Sequence, residues 1–536
     1  MRAIRCLALT FLWLLGLAAP ALAGTARGVV FDDRNANGSR DAGEPGLPGV
    51  RVSNGLDVIA TDTAGRYEIA IDDDTIVFVL KPRDWQTALD KLNLSRSYYI
   101  HKPAGSPDDE FQYRGVKPTG PLPDSIDFPL THSPEPDRFS AIIMGDPQPG
   151  TRQQVRFYAN DVVAELVDST AMFGISMGDI VGDKLSLFGQ VNAVQATVGV
   201  PWYNVLGNHD INYYSPDDKH SDETFERVYG PANYAFQYGA VHFVVLDNVF
   251  WKGYQGKDPA GEPKFGGYTG ALNEDQLRFV ANYLHDVSRE ELIVVCTHIP
   301  LPELSHWGEQ HSTPQLGRLL ELLSVFPHNL SLSAHTHVNR HHFVGPGGSE
   351  ASASGAPHHH HNVATASGSW YRGPLDEQGF PVTTMADGAP NGYIMATFDG
   401  PVYRLRYKAA RMPAEYQMAI HTPEVVPGSA SGEAEVVVNV FNGNERSKVS
   451  MRVRGHADWI TMRQDARVDP LYKKLRNADV AREPTDHTPL PKPSISTHIW
   501  VALLPADLPP GVHVLEVEST DMFGQTDRGI RLIEVD

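Results

Sequence analysis

Cysteine is almost missing: Cys6 and Cys296 are the only two in 536 residues. Cys6 lies in the amino-terminal apolar segment, so a mature chain keeps Cys296 alone and an intramolecular disulfide framework is excluded. Basic charge is also short. Lys and Arg number 45 against 65 Asp and Glu, a formal charge of −20. A surface that wraps a nucleic acid polymer is thereby excluded, although a small phosphate ester is not. Long hydrophobic runs are confined to residues 1–23, MRAIRCLALTFLWLLGLAAPALA, where Arg2 and Arg5 precede an apolar stretch and Ala21-Leu22-Ala23 precedes Gly24. We read 1–23 as a cleavable secretory signal, with a retained anchor helix as the alternative. The chain is then expected to be exported, periplasmic or extracellular, with no transmembrane anchor after cleavage. Loss of the two arginines takes its charge from −20 to −22.

What is present divides into three segments. From 24 to 136 short alternating runs (GVVFDD, VRVSNG, GRYEIAID) between Gly, Asn and Asp turns predict a β-sandwich. From 137 to 400, β-like runs alternate with helix-like stretches such as Arg152 to Ser169 and Asn273 to Val287, which predicts a layered α/β domain. From 401 to 536 the pattern is β-like again, a second sandwich, broken by a polar, Pro-rich excursion from Gln464 to Lys492. The expected fold class is α/β, with a central sandwich flanked by two all-β domains.

The tips of the central runs carry polar residues of a particular kind: Asp146 and Gln148, Asp179, Asn208 and His209, His298, and His335 with His337. Loops at the carboxyl ends of strands are where such sheets hold ligands. Acids, amides and imidazoles gathered there are costly to bury without a partner, and together they suit divalent ions such as Mn, Fe or Zn. Cys296, inside the apolar LIVVC, is read as packing.

A separate signal is DRNANGSRDAGE, in which Asp33, Asn35, Asn37, Gly38, Ser39, Asp41 and Glu44 stand at the spacing of a calcium loop. No helix flanks it, and Pro45-Gly46 follows at once. A structural calcium and an ordinary Asn/Asp/Gly hairpin loop both remain open.

The ordered motifs GDPQ, GDIVGD, GNHD, CTH and AHTH, all between Gly145 and His337, resemble those of the calcineurin-like metallophosphoesterases. HHHHNVATASGSWYRGP and MADGAPNGYIM resemble segments of a secreted three-domain subgroup with a β domain on each side of an αββα core. The resemblance implies two divalent metal ions (Mn, Fe, Zn or Mg). Asp146, Gln148 and His337 would hold one, Asn208, His298 and His335 the other, and Asp179 would bridge them. It further implies in-line hydrolysis of a small phosphate ester by a hydroxide shared between the ions, with His209 protonating the leaving oxygen and Asp183 orienting His209. A turn or N-cap role for Asp183 is the alternative. The family usually has His at the position of Gln148 and Gly at that of Ala334; a carbonyl donor at 148 implies a harder site, suited to Mn, Fe or Mg. Members that cleave nucleotide diphosphate-type esters carry this Asp-x-Gln form.

Around the rim, Trp370 and Tyr371 are read either as an aromatic wall over substrate or as packing of a domain joint. Asp387 and Asn391 are turn residues first and substrate residues second, and His358 to His361 is read as interdomain or surface rather than metal-binding. Whether a monoester, a diester or a diphosphate is cleaved, and in what oligomeric state, is not legible. The alternative to an enzyme is a cell-envelope binding module with a vestigial central domain.

Overall fold

The computed structural model describes residues 24–107, 111–302, 312–345, 357–456, 458–482, 487–506 and 508–536. The expected signal segment, 1–23, lies outside them.

Two mixed sheets make the central domain. The first is formed by β1 (Arg138–Met144), β2 (Phe173–Ser176), β3 (Trp202–Asn204), β10 (Gly392–Asp399) and β11 (Val402–Ala409), in the order β3-β2-β1-β10-β11. The second contains β4 (Tyr234–Tyr238), β5 (Val241–Val245), β6 (Leu292–Cys296), β7 (Asn329–Ser333), β8 (Arg340–Val344) and β9 (His358–Asn362), in the order β4-β5-β6-β7-β9-β8. Strands β1, β2 and β3 run parallel, as do β5, β6, β7 and β9, so their carboxyl ends gather at one edge.

The strands read as unbroken apolar runs because both of their faces are buried. Phe139, Ala141 and Ile143 of β1 meet Phe243, Val294 and Leu330 of the second sheet, while the intervening Ile142 and Met144 pack under α1 (Arg152–Asp161). The outer face of the second sheet is covered by α2 (Glu274–Leu284) and α3 (Leu316–Leu323), through Leu277, Val280 and Leu319. Thr151 caps α1 by accepting the Gln154 N–H, and Asn273 and Gln276 form a capping box on α2. The layers are therefore αββα, as expected. The helix-like stretch from Arg152 is shorter than the pattern implied: α1 ends at Asp161, and a separate turn of 3-10 helix follows over Val163–Leu166.

Each flanking unit is a β-sandwich. Residues 24–132 form two four-stranded sheets around Val30, Ile69, Val77 and Leu130. After Met418, a four-stranded and a five-stranded sheet enclose Val438, Met451, Trp500 and Leu515. The central sheet continues to Ala409 rather than stopping at Gly400: DGPV, which reads as a boundary turn, is the β10/β11 hairpin loop. The excursion contains α4 (Pro470–Val480), started by the Asp469 side chain accepting the Tyr472 N–H with Pro470 in the first turn. Among the described residues no helix is long and apolar enough to cross a membrane.

The histidine tract is not at the surface. It is β9, between β7 and β8, and is buried throughout. His358 and His360 bond to the Ser331 hydroxyl, and His341 stacks on His361 at 3.9 Å while its Nε2 reaches Asn442 of the last domain. Burial pushes His341 and His358 down to about 4 and His342 to about 3, and holds His359, His360 and His361 well below the usual range. These rings are neutral when folded, whereas unfolded ones take up protons below about pH 6.5. Their contribution to stability is complete above that pH and is progressively lost as the pH falls below it. Thermal unfolding at pH 5.5 should therefore begin about 5 °C or more below that at pH 7.5. A melting temperature that holds or rises on acidification would contradict this.

Candidate functional site

The parallel strand ends bring five polar loop tips to one edge. Asp146 and Gln148 follow β1, Asp179 follows β2, Asn208 and His209 follow β3, His298 follows β6, and His335 and His337 follow β7. All but His209 are buried. The backbone is strained into place: Asp146, Gln148, Asp179, His335 and His337 all have φ between 37° and 72°, the left-handed region that non-glycine residues avoid. Glycines supply the remaining room. A Cβ at Gly207 would lie 2.0 Å from the Asp179 nitrogen, and one at Gly178 2.3 Å from His298 Nδ1.

Around His298 Nε2 lie Asn208 Oδ1 at 3.1 Å, His335 Nδ1 at 3.2 Å and Asp179 Oδ1 at 3.3 Å. This is a four-donor set with Asp179 as one corner. On the other side of Asp179, Gln148 Nε2 stands 3.2 Å from Oδ2, and His337 Nε2 is 3.7 Å from Asp146 Oδ1. The seven side chains thus form two groups that share one carboxylate.

The donors suit cations in three independent respects. Gln148 Oε1 is buried with no hydrogen-bond partner, and exchanging the amide's two ends would turn that oxygen toward Asp179. His298 and His337 each use Nδ1 on a backbone carbonyl, Met177 O at 2.8 Å and Gly368 O at 2.5 Å, which leaves Nε2 to face the cluster. Lastly, the charges oppose one another. Burial, reinforced by the Asp179 charge, pushes Asp146 up to about 8, while Asp179 is held well below the carboxylate range because His298 and His209 outweigh its burial. Two buried acids this close cannot both ionise cheaply without added positive charge.

His209 lies at the mouth of the site, its Nδ1 2.6 Å from Asp183 Oδ1 and its Nε2 3.9 Å from Asp179 Oδ2. Burial disfavours its charged ring, but Asp179 and the Asp183 hydrogen bond prevail and push it up to about 9. Beyond it opens a cleft of about 600 Å³, lined by Gln148, Asp183, His209, Trp370, Tyr371 and Arg372 and closed on the far side by His487 and Thr488. Trp370 stacks on the ligand-set ring of His337 at 4.1 Å, so it walls the cleft; Tyr371 also lines it, and donates its hydroxyl to Pro147 O.

Asn391 and Asp387 are placed elsewhere. The Asn391 amide bonds to Asp161 Oδ2 at 2.7 Å and Ala366 O, beneath the cleft floor, so its expected substrate contact is corrected to a structural one. Asp387 joins domains, accepting the Asn339 N–H and facing His498 at 3.1 Å. Cys296 is buried in the inter-sheet core and burial pushes its thiol up, in keeping with packing. One residue went unassigned in the motif reading: Asp210, the last of GNHD, accepts the N–H groups of Ile180, Val181 and Gly207 at 3.0 to 3.1 Å and so ties the loops of Asp179 and Asn208 together. In the amino-terminal loop, Asp33 accepts Asn37 and Gly38 N–H, Asp41 accepts the Asn35 and Asn37 amides, Glu44 accepts Arg34 and Asp41 N–H, and Ser39 donates its N–H to Asn37. Its acids are satisfied within the loop itself.

Family models match along the chain in order: the N terminal of calcineurin-like phosphoesterase over residues 34–116, calcineurin-like phosphoesterase over 139–339, and the C terminal of calcineurin-like phosphoesterase over 360–526. A purple acid phosphatase from yellow lupin (Lupinus luteus) seeds aligns with 68% of this chain and 69% of its own at 11% identity and a TM-score of 0.37. No curated protein matches. With the three models following one another over most of the chain, the last beginning in β9 and running through the final core strands into the second sandwich, the chain belongs to the calcineurin-like phosphoesterases that carry an extra domain at each end, and it is a metal-dependent phosphoester hydrolase.

Proposed function

We propose that this hydrolase is exported and acts on small phosphate esters with two divalent cations. Asp146, Gln148 and His337 would hold one, Asn208, His298 and His335 the other, with Asp179 common to both. The observation that carries this reading is the sharing of one carboxylate between two donor groups. Bound cations supply charge neutralisation for the phosphoryl oxygens and make water acidic enough to attack. The carbonyl oxygen of Gln148 favours Mn, Fe or Mg over Zn in its group.

The chain's own part is orientation and proton delivery. Asp183 fixes the His209 ring by accepting from Nδ1, which leaves Nε2–H of the charged ring directed at the cleft. A leaving oxygen there receives that proton as the phosphorus–oxygen bond breaks. Phe157, Trp370 and Tyr371 give the cleft an apolar flank that limits water.

The test is direct. Exported chain, with an expected amino terminus at Gly24, should contain transition metal or magnesium and should hydrolyse para-nitrophenyl phosphate mono- or diesters once supplied with Mn. Metal-free material that neither takes up ions nor hydrolyses either ester would refute the reading. A calcium ion in the Asp33 to Glu44 loop belongs to the same proposal, supported by the spacing of its oxygens. Calcium should raise the first unfolding transition by a few degrees and leave hydrolysis unchanged; identical melting with calcium and with a chelator would remove it.

A further inference from the structure

The core that holds the donor groups ends at Ala409, yet the cleft is closed by residues far beyond it. Thr488 accepts the Gly373 N–H at 2.9 Å, and Leu490 packs beside Gly373 and Tyr472 of α4. The excursion of the last domain is thus the wall opposite the donor set. His487 in that wall is bonded to Asp479 at 2.5 Å.

Arg372 stands between the donor set and this wall. Its guanidinium lies over Trp370, 5.1 Å from the ring centre, and Trp370 is itself stacked on His337. Among the described residues it makes no ion pair and no side-chain hydrogen bond, in a chain whose acids outnumber its bases by 20. The preceding Trp370 and Tyr371 have φ of 58° and 56°, so the backbone is held in a sparsely populated conformation that presents the ring and the guanidinium to the cleft. A planar, permanently charged fork with no acidic partner among the described residues, beside a phosphoryl site, is suited to bidentate contact with a second anionic oxygen pair.

We infer that Arg372 reads the leaving group, and that the preferred substrates carry a further phosphate beyond the one being cleaved, as a phosphoanhydride or a second ester. This rests on the phosphoesterase reading above. Arg372 is a specificity residue: the transferred phosphoryl stays with the donor groups near Asp179, and the second phosphate lies against the guanidinium, between Trp370 and the backbone at Thr488.

Steady-state kinetics of the Mn-supplied full chain test it with three probes: para-nitrophenyl phosphate, which has one phosphate; UDP-glucose, a phosphoanhydride; and fructose bisphosphate, with its second phosphate on a distant carbon. For R372A, kcat/KM on at least one of the two doubly phosphorylated probes should fall about ten- to a hundredfold, chiefly through KM. The rate on nitrophenyl phosphate should stay within about twofold, and the probe that loses more identifies which kind of second phosphate is read. R372Q, which keeps the stem to Cδ and a polar end without the charge, serves if R372A does not fold. Equal losses on all three probes, or none on either doubly phosphorylated one, overturn the inference. So does a wild-type chain that cleaves nitrophenyl phosphate but neither of the others. A chain that with Mn bound cleaves none of the three, and no nitrophenyl phosphate diester either, overturns the phosphoesterase reading as well.

Discussion

Asp179→Asn is expected to lower kcat by about a thousandfold or more and to reduce bound metal. The Asp179 carboxylate is the corner common to both donor groups, and its oxygens face His298 on one side and Gln148 on the other. Asparagine keeps the shape and can still accept the His209 N–H that Asp179 Oδ1 accepts at 2.9 Å. What it removes is the negative charge and one acceptor. Because His298 is raised to about 9 chiefly by Asp179, against the opposing effect of burial, the variant should also leave that ring neutral to higher acidity. Elemental analysis and kcat, measured on protein whose melting curve shows it folded, decide the matter. Full activity with two ions retained would sink the assignment of Asp179.

The second large effect is at His209. His209→Ala should cost about a hundred- to ten-thousandfold in kcat on alkyl phosphates, whose leaving oxygens need a proton, and far less on nitrophenyl phosphate, whose leaving group departs as an anion. Metal content should be unchanged, since His209 stands outside both donor groups. The charged ring is the working form, so the rate falls as pH rises through its pKa, which Asp179 and Asp183 push up to about 9. Asp183→Asn removes one of those two supports and should move the basic limb of kcat to lower pH. A loss in His209→Ala that is equal for both leaving groups would mean the ring binds substrate without delivering a proton.

Much of this centre was legible as strings because each donor sits within a few residues of a buried strand's end, and a strand buried on both faces announces itself as an apolar run. FSAIIMGD and LIVVCTH are read this way without ambiguity. What stayed hidden was whatever depends on partners distant in sequence. Val402–Ala409 alternates just as the following sandwich does, so nothing local assigns it to the core sheet. HHHHN looks polar, and its burial follows only from the serines of β7 and from Asn339, just before β8, beside it. Asp210 acts on backbone N–H groups, which leave no trace in residue type. Asn391 was placed near substrate because turn chemistry looks the same whether its amide faces a cleft or a buried Asp161. Helix α4 had its Asp469-Pro470 start signal in plain view, inside a segment whose proline content suggested irregular chain.

The position of the Thr488 wall also bears on when the protein becomes selective as it is made. Synthesis releases the amino terminus first. The donor residues have all emerged by His337 and their sheet is complete by Ala409, but the wall lies some eighty residues later in the chain. A nascent polypeptide could thus assemble its donor residues before the wall that, on the proposal above, helps it discriminate among leaving groups.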